Sequence, residues 1–172
     1  MCCKLYEITA LAKPENSWCQ HCDKSRGCTI YDTRPQECRD FFCHYRIDRD
    51  VPEHWKPSRS HMAMKSDASG TRIIITVDPK RPTAWREEPY YRDLKAWAAN
   101  RMPSGRQVHV RIGTRTVVVL PDRDIDLGVV GDRAILATRT TGPDGRVVRM
   151  DFQVVDRDDP RGRAPAAGIL KR

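Results

Sequence analysis

The sequence predicts an α+β chain in unequal parts. A small cysteine-rich lobe with short helices occupies residues 1–60, and a mainly antiparallel β region with one helix occupies residues 61–156. Three observations predict this. All seven cysteines fall within the first 43 of 172 residues. Beyond them, short runs of alternating apolar residues are bounded by Gly, Pro, Asp and Ser. One segment between those runs carries the period of an amphipathic helix. With 39% hydrophobic and 31% charged residues, the core is expected to be small for the length.

The lobe comes first in the chain. Cys2, Cys3, Cys19, Cys22, Cys28, Cys38 and Cys43 crowd into it, and the remaining 129 residues contain none. Cysteines serving only as small hydrophobes would be scattered through both parts. A disulfide framework needs an oxidising compartment, yet the start Met1-Cys2-Cys3-Lys4-Leu5 has no secretory pattern and an odd count leaves one thiol over. A redox pair in Cys19-Gln20-His21-Cys22 is conceivable, but the preceding Lys13–Trp18 reads as loop rather than as a strand opening a helix. Metal ligation accounts for the density best, because thiolates are soft ligands for zinc and for iron–sulfur clusters. All seven are therefore candidate metal ligands. The spacing C-x2-C-x5-C-x9-C-x4-C shows only one zinc knuckle and lacks the run of a ferredoxin. Two complete zinc sites would need an eighth donor, for which His21 and His44 are the nearest candidates.

Thr33–Tyr45 reads as a short helix, with Thr33 and Gln36 as a capping box and Pro35 in the first turn. Cys38, Phe41 and Phe42 would share a face, the phenylalanines shielding the site from water. Cys43 would lie roughly 140° around from Cys38, so both reach one centre only if the helix ends or distorts before Cys43. Otherwise they serve different metals. Arg34 and Arg39 are candidates to hydrogen-bond sulfur, with ordinary surface arginines the alternative.

Cys28-Thr29-Ile30-Tyr31-Asp32-Thr33-Arg34-Pro35-Gln36-Glu37-Cys38-Arg39-Asp40-Phe41-Phe42-Cys43, preceded by the Cys19/Cys22 pair, resembles the YkgJ-type cysteine-cluster family of zinc- or iron-chelating domains. The hallmark C-x-I-Y-x-x-R-P-x-x-C-R-x-F-x-C is matched at every fixed position. The likeness spans roughly residues 1–65, with Pro57–Ser60 resembling the stretch after the last cysteine. It implies a chelated metal, and related domains occur in a flagellin lysine methylase assigned an iron–sulfur cluster. At the start the family has C-x-x-C-C, whereas this chain keeps only the last pair, Cys2-Cys3. That precedent and the irregular spacing favour an iron–sulfur cluster slightly over Zn2+.

The β region reads as three strand pairs and a helix. His61–Lys65 and Thr71–Val77 flank a Ser-Asp-Ala-Ser-Gly turn, and Gln107–Ile112 and Arg115–Leu120 flank Gly113-Thr114. Ala134–Thr138 and Val147–Val154 flank Gly142-Pro143-Asp144-Gly145. Glu88–Arg101 reads as the helix, with Leu94, Trp97 and Ala98 on one face. His109 reads as a strand residue rather than a base, and Asp122–Asp126 as a solvated turn rather than a cation site. Residues 157–172 read as a mobile basic tail. There is no phosphate-binding glycine loop and no nucleophile elbow, so no catalytic constellation is expected.

Net charge is +8, of which residues 1–65 carry +2 and residues 66–172 carry +6. An arginine-rich second half suits an acidic partner, though interspersed aspartates break any uniform stripe. No run approaches the length of a membrane span, so a cytoplasmic chain is expected. Three functions compete. The first is a metal-binding structural or accessory module docking on protein partners in a larger assembly. The second is a redox or iron–sulfur component of an enzyme system, and the third a zinc-stapled nucleic-acid binder.

Overall fold

The computed structural model describes residues 1–161, so the predicted tail lies outside the described residues from position 162 onward. The architecture is α+β, with few helices and mostly antiparallel pairing. Four helices of a single turn precede the main sheet: α1 (Cys2–Leu5), α2 (Gln36–Arg39), α3 (His44–Ile47) and α4 (Pro57–Ser60). A two-residue hairpin, β1 (Cys22–Asp23) with β2 (Gly27–Cys28), lies among them.

The main sheet has five strands in sequence order: β3 (Met62–Ser66), β4 (Arg72–Val77), β5 (Gln107–Ile112), β6 (Arg115–Val119) and β7 (Asp124–Val129). The first two predicted hairpins form as expected. A third, β8 (Ala134–Thr141) with β9 (Val147–Val155), forms a separate two-stranded ribbon. Pairing is mainly antiparallel, as expected, with one parallel seam, where Ile73 of β4 stands opposite Val108 of β5. The reason is the helix between them, α5 (Tyr90–Arg101), which carries the chain back so that β5 starts where β4 started.

Alternation gives the sheet two apolar faces. Ile73, Ile75 and Val77 of β4 join Val108, Val110, Val117 and Val119 on one face, against Tyr90, Leu94 and Ala98 of α5. These helical positions recur every four residues, which lines them along one side. Trp55 sits in the same core, edge-on to Tyr90 at 5.1 Å and beside Trp97 at 4.9 Å. On the opposite face Val118 and Leu120 pack with Val147 and Met150 of the β8–β9 ribbon.

The predicted turn at Asp122–Asp126 is a correction: β7 begins at Asp124 and pairs with β6. The aspartates looked solvated because their counter-ions lie far off in sequence. Asp124 accepts from Lys95 at 2.8 Å and from the Tyr91 hydroxyl at 3.1 Å, and Asp126 pairs with Arg115. With these charges partnered, Ile125 and Leu127 are free to pack as strand residues. His109 is a strand residue, as expected. It is buried in β5, bonded to Gln107 at 2.8 Å, and burial chiefly, then the charge of Arg72, pushes it down to about 3. Among the described residues no helix is long and apolar enough to cross a membrane.

Candidate metal centre

The first cysteines are placed by a buried anchor. In α1, Leu5 is wholly buried, and its neighbour Lys4 forms a buried ion pair with Asp78 at the end of β4. Burial works against the Asp78 carboxylate. Hydrogen bonds from Lys4 and from the Lys80 backbone N–H, with the Lys4 charge, outweigh it and hold Asp78 below the usual carboxylate range. Tyr6 donates to Thr76 of β4 at 3.1 Å, and Lys13 donates to the carbonyl of Lys4 at 2.8 Å. Cys2 and Cys3 thus hang from β4, an inner strand of a folded sheet.

Backbone bonds then draw the other cysteines in. The amide of Cys19 donates to the carbonyl of Cys3 at 2.9 Å, and that of Cys22 to the carbonyl of Cys19 at 3.0 Å, closing the C-x-x-C turn. Asp23 accepts from the amides of Ser25 and Arg26 and from the Ser25 hydroxyl, turning the chain tightly into β2. Gly27, at φ 93°, is the residue this turn requires. The hairpin sets Cys22 opposite Cys28, and directly opposed side chains share a face with Cβ atoms about 5 Å apart. The x5 spacing is therefore that of a hairpin.

The predicted helix over Thr33–Tyr45 is broken. α2 ends at Arg39, residues 40–43 turn, and Cys43 stands just ahead of α3, whose Arg46 amide donates to its carbonyl at 2.8 Å. This is the break the sequence required for Cys38 and Cys43 to face one space. The capping box does not form, because Pro35 rather than Thr33 stands ahead of α2. Arg34 and Arg39 do not seek sulfur either. Arg34 donates to the Tyr31 carbonyl and lies over the Tyr31 ring. Arg39 donates to the carbonyls of Asp32 and of Arg34, the latter at 3.0 Å. Both guanidiniums satisfy a turn whose carbonyls have no strand or helix to join. Of the two phenylalanines only Phe41 shields the site, its ring tilted against that of Tyr6 at 4.6 Å. Phe42 is 62% exposed on the rim.

All seven cysteines line one cavity of about 1800 Å³. All are free thiols, and Cys19 and Cys43 are buried. The Cys2 and Cys3 sulfurs lie 4.0 Å apart. Donation from the Cys3 thiol lowers Cys2 against the opposing effect of burial, and that shared proton in turn pushes Cys3 up, helped by burial and by the charges of Cys2 and Cys22. Burial raises Cys38, and so do the charges of Cys19, Cys28 and Cys2. His21 and His44 also line the cavity, and His44 is held by Ser66 of β3 at 3.0 Å. Burial lowers His44, favouring the neutral imidazole.

No family model, curated protein or solved structure matches this chain. Among the described residues no three Cys, His or carboxylate donors stand close enough to hold an ion as placed. In kind and number the donors nonetheless suit a thiolate-bound metal, since four thiolates complete a tetrahedral zinc site or a cubane cluster. Sequence reasoning missed Lys4, Lys13 and Asp78, which hold α1 on the sheet. Lysines and aspartates read as surface charge, and only their pairing in space shows otherwise.

Proposed function

We propose that this chain is a metal-binding cysteine-cluster protein, a structural or accessory module whose thiols hold an iron–sulfur cluster or Zn2+ in a reducing, cytoplasmic setting. The observation that carries this reading is the convergence of seven thiols, from segments spread over 42 residues, on one cavity. The resemblance of Cys28–Cys43 to the YkgJ-type family supports it. Thiolates from Cys19, Cys22, Cys28, Cys38 and Cys43, with Cys2 and Cys3, would hold the metal. Bound there, it would cross-link segments that share little apolar packing, and a cluster would add one-electron chemistry.

A protein partner is the favoured companion. Of the six exposed large apolar side chains among the described residues, Trp18, Tyr31, Phe42 and Ile47 stand at this one cavity. Apolar groups gathered at one place on a surface mark contact sites. The deciding experiment is metal analysis of anaerobically purified protein, with iron, sulfide and zinc counted per chain. Stoichiometric iron and acid-labile sulfide with broad visible absorption identify a cluster, and a colourless zinc protein removes the redox role. A chain purified without either metal, and unable to take one up, would sink the reading.

A further inference from the structure

A second pocket, of about 480 Å³, opens between the β3–β4 turn, the end of α5 and strand β8. Three arginines line it, Arg101, Arg106 and Arg139, together with Ser66, Thr71 and Gly105. Several arginines elsewhere in this half of the chain take carboxylate partners, as Arg72 does with Asp67, Arg115 with Asp126 and Arg149 with Asp151. Among the described residues none of the three pocket arginines forms such a pair. The nearest acid, Asp67, is already engaged by Arg72 and Ser69.

Arg101 and Arg139 are positioned by their surroundings. The Nε of Arg101 is buried with no hydrogen-bond partner, and its Nη2 makes only a long contact, 3.4 Å, to the Gly70 carbonyl. Burial and the charge of Arg106 both disfavour its protonated form, and Asp67 only partly offsets them. Arg139 lies flat against Gly105, its Nε 3.2 Å from where a β-carbon would stand, so the glycine makes room for the guanidinium. Grouped, unpaired guanidiniums repel one another, and an unbonded buried donor is costly. A multivalent oxyanion relieves both at once, since guanidinium forks match phosphate oxygens in geometry and charge.

We propose that this pocket binds the phosphoryl group of a small phosphomonoester. Its volume exceeds that of bare phosphate and falls within the range of small-molecule sites. It is distinct from the cysteine cavity, although Ser66 lines both, and its test does not depend on the metal.

Calorimetric titration of the full chain with inorganic phosphate and with glucose 6-phosphate, in chloride buffer, reads the site directly. Saturable binding of both is expected. Arg106→Ala and Arg139→Ala, both at exposed side chains, should keep the parent melting temperature while each weakens binding by about tenfold. Arg139→Lys should recover only part of the loss, because a lysine lacks the fork. Tighter binding of the sugar phosphate supports an ester ligand. Equal binding supports the phosphoryl site with free phosphate as its occupant. Heat that does not saturate with either compound overturns the proposal, as does unchanged affinity in the double alanine variant. Binding of a single-stranded oligonucleotide alone would overturn it too, in favour of nucleic acid.

Discussion

Residues 1–60 and residues 61–156 hold their shape by different means. The sheet region buries Ile75, Val77, Val108, Val110, Val118 and Leu94 almost completely, on two faces of a five-stranded sheet. The lobe has one-turn helices and a two-residue hairpin, and between Ile8 and Trp55 only Cys19 and Cys43 count as buried apolar residues. Single turns are not stable in water by themselves. What orders the lobe is its attachment at both ends, through Lys4–Asp78 at the start and Trp55 at the finish, and the thiol cavity between. A chain can thus keep one region by burial and hold another at its two ends, provided that the first offers anchors to the second.

The contrast can be broken in several ways. If the proposed metal is bound, the largest effect is expected from its loss: chelation, or Cys38→Ser, would remove a contribution of roughly 10 kcal/mol typical of structural thiolate sites. Amide exchange should then rise across residues 16–50 while β4, β5 and β6 stay protected. Equal loss of protection in both regions would mean that the chain folds as one unit. Next is Trp55→Ala. Though it belongs to the lobe in sequence, Trp55 is 2% exposed in the core of the sheet, and its loss should cost about 3–5 kcal/mol in chemical denaturation.

Asp78→Ala strands the buried Lys4 and should cost about 3 kcal/mol, loosening α1 while β5 and β6 keep their exchange protection. The same pair responds to acid. Because the folded Asp78 carboxyl is depressed, its stabilisation is complete above the ordinary carboxylate value and is lost as pH falls through the folded one. The smallest effect concerns His109, whose folded value is near 3. Below about pH 6.5 the unfolded chain takes up a proton that the folded chain refuses, so stability should fall by about 1.4 kcal/mol per pH unit. His109→Gln should flatten that slope between pH 6 and 5 in pH-resolved urea melts, and an unchanged slope would place the titrating group elsewhere.

Much of the fold was legible in the sequence because it is local. Gly113-Thr114 and the Gly142–Gly145 turn each sit between alternating runs, and Leu94 and Ala98 repeat at helical spacing. The misses share a physical cause, namely dependence on partners distant in sequence. Asp124 looked like turn residue until Lys95 and Tyr91 came to it, and nothing in Lys4-Leu5-Tyr6 announces a buried lysine. In the candidate site the clustering of the cysteines and the break before Cys43 could be read. The roles of Arg34 and Arg39 could not, because carbonyls needing donors appear only once the Tyr31–Arg34 turn has folded.

The parallel seam between β4 and β5 also has a consequence for the order in which the chain folds. The β3–β4, β5–β6 and β8–β9 pairs close over turns of a few residues, a contact that forms quickly because little chain entropy is lost. Ile73 and Val108 meet only after the whole of α5 has been laid down between them. Folding speed should therefore be set at this join. Core substitutions along it, such as Val110→Ala, should slow refolding, whereas changes in the β8–β9 ribbon should act mainly on unfolding.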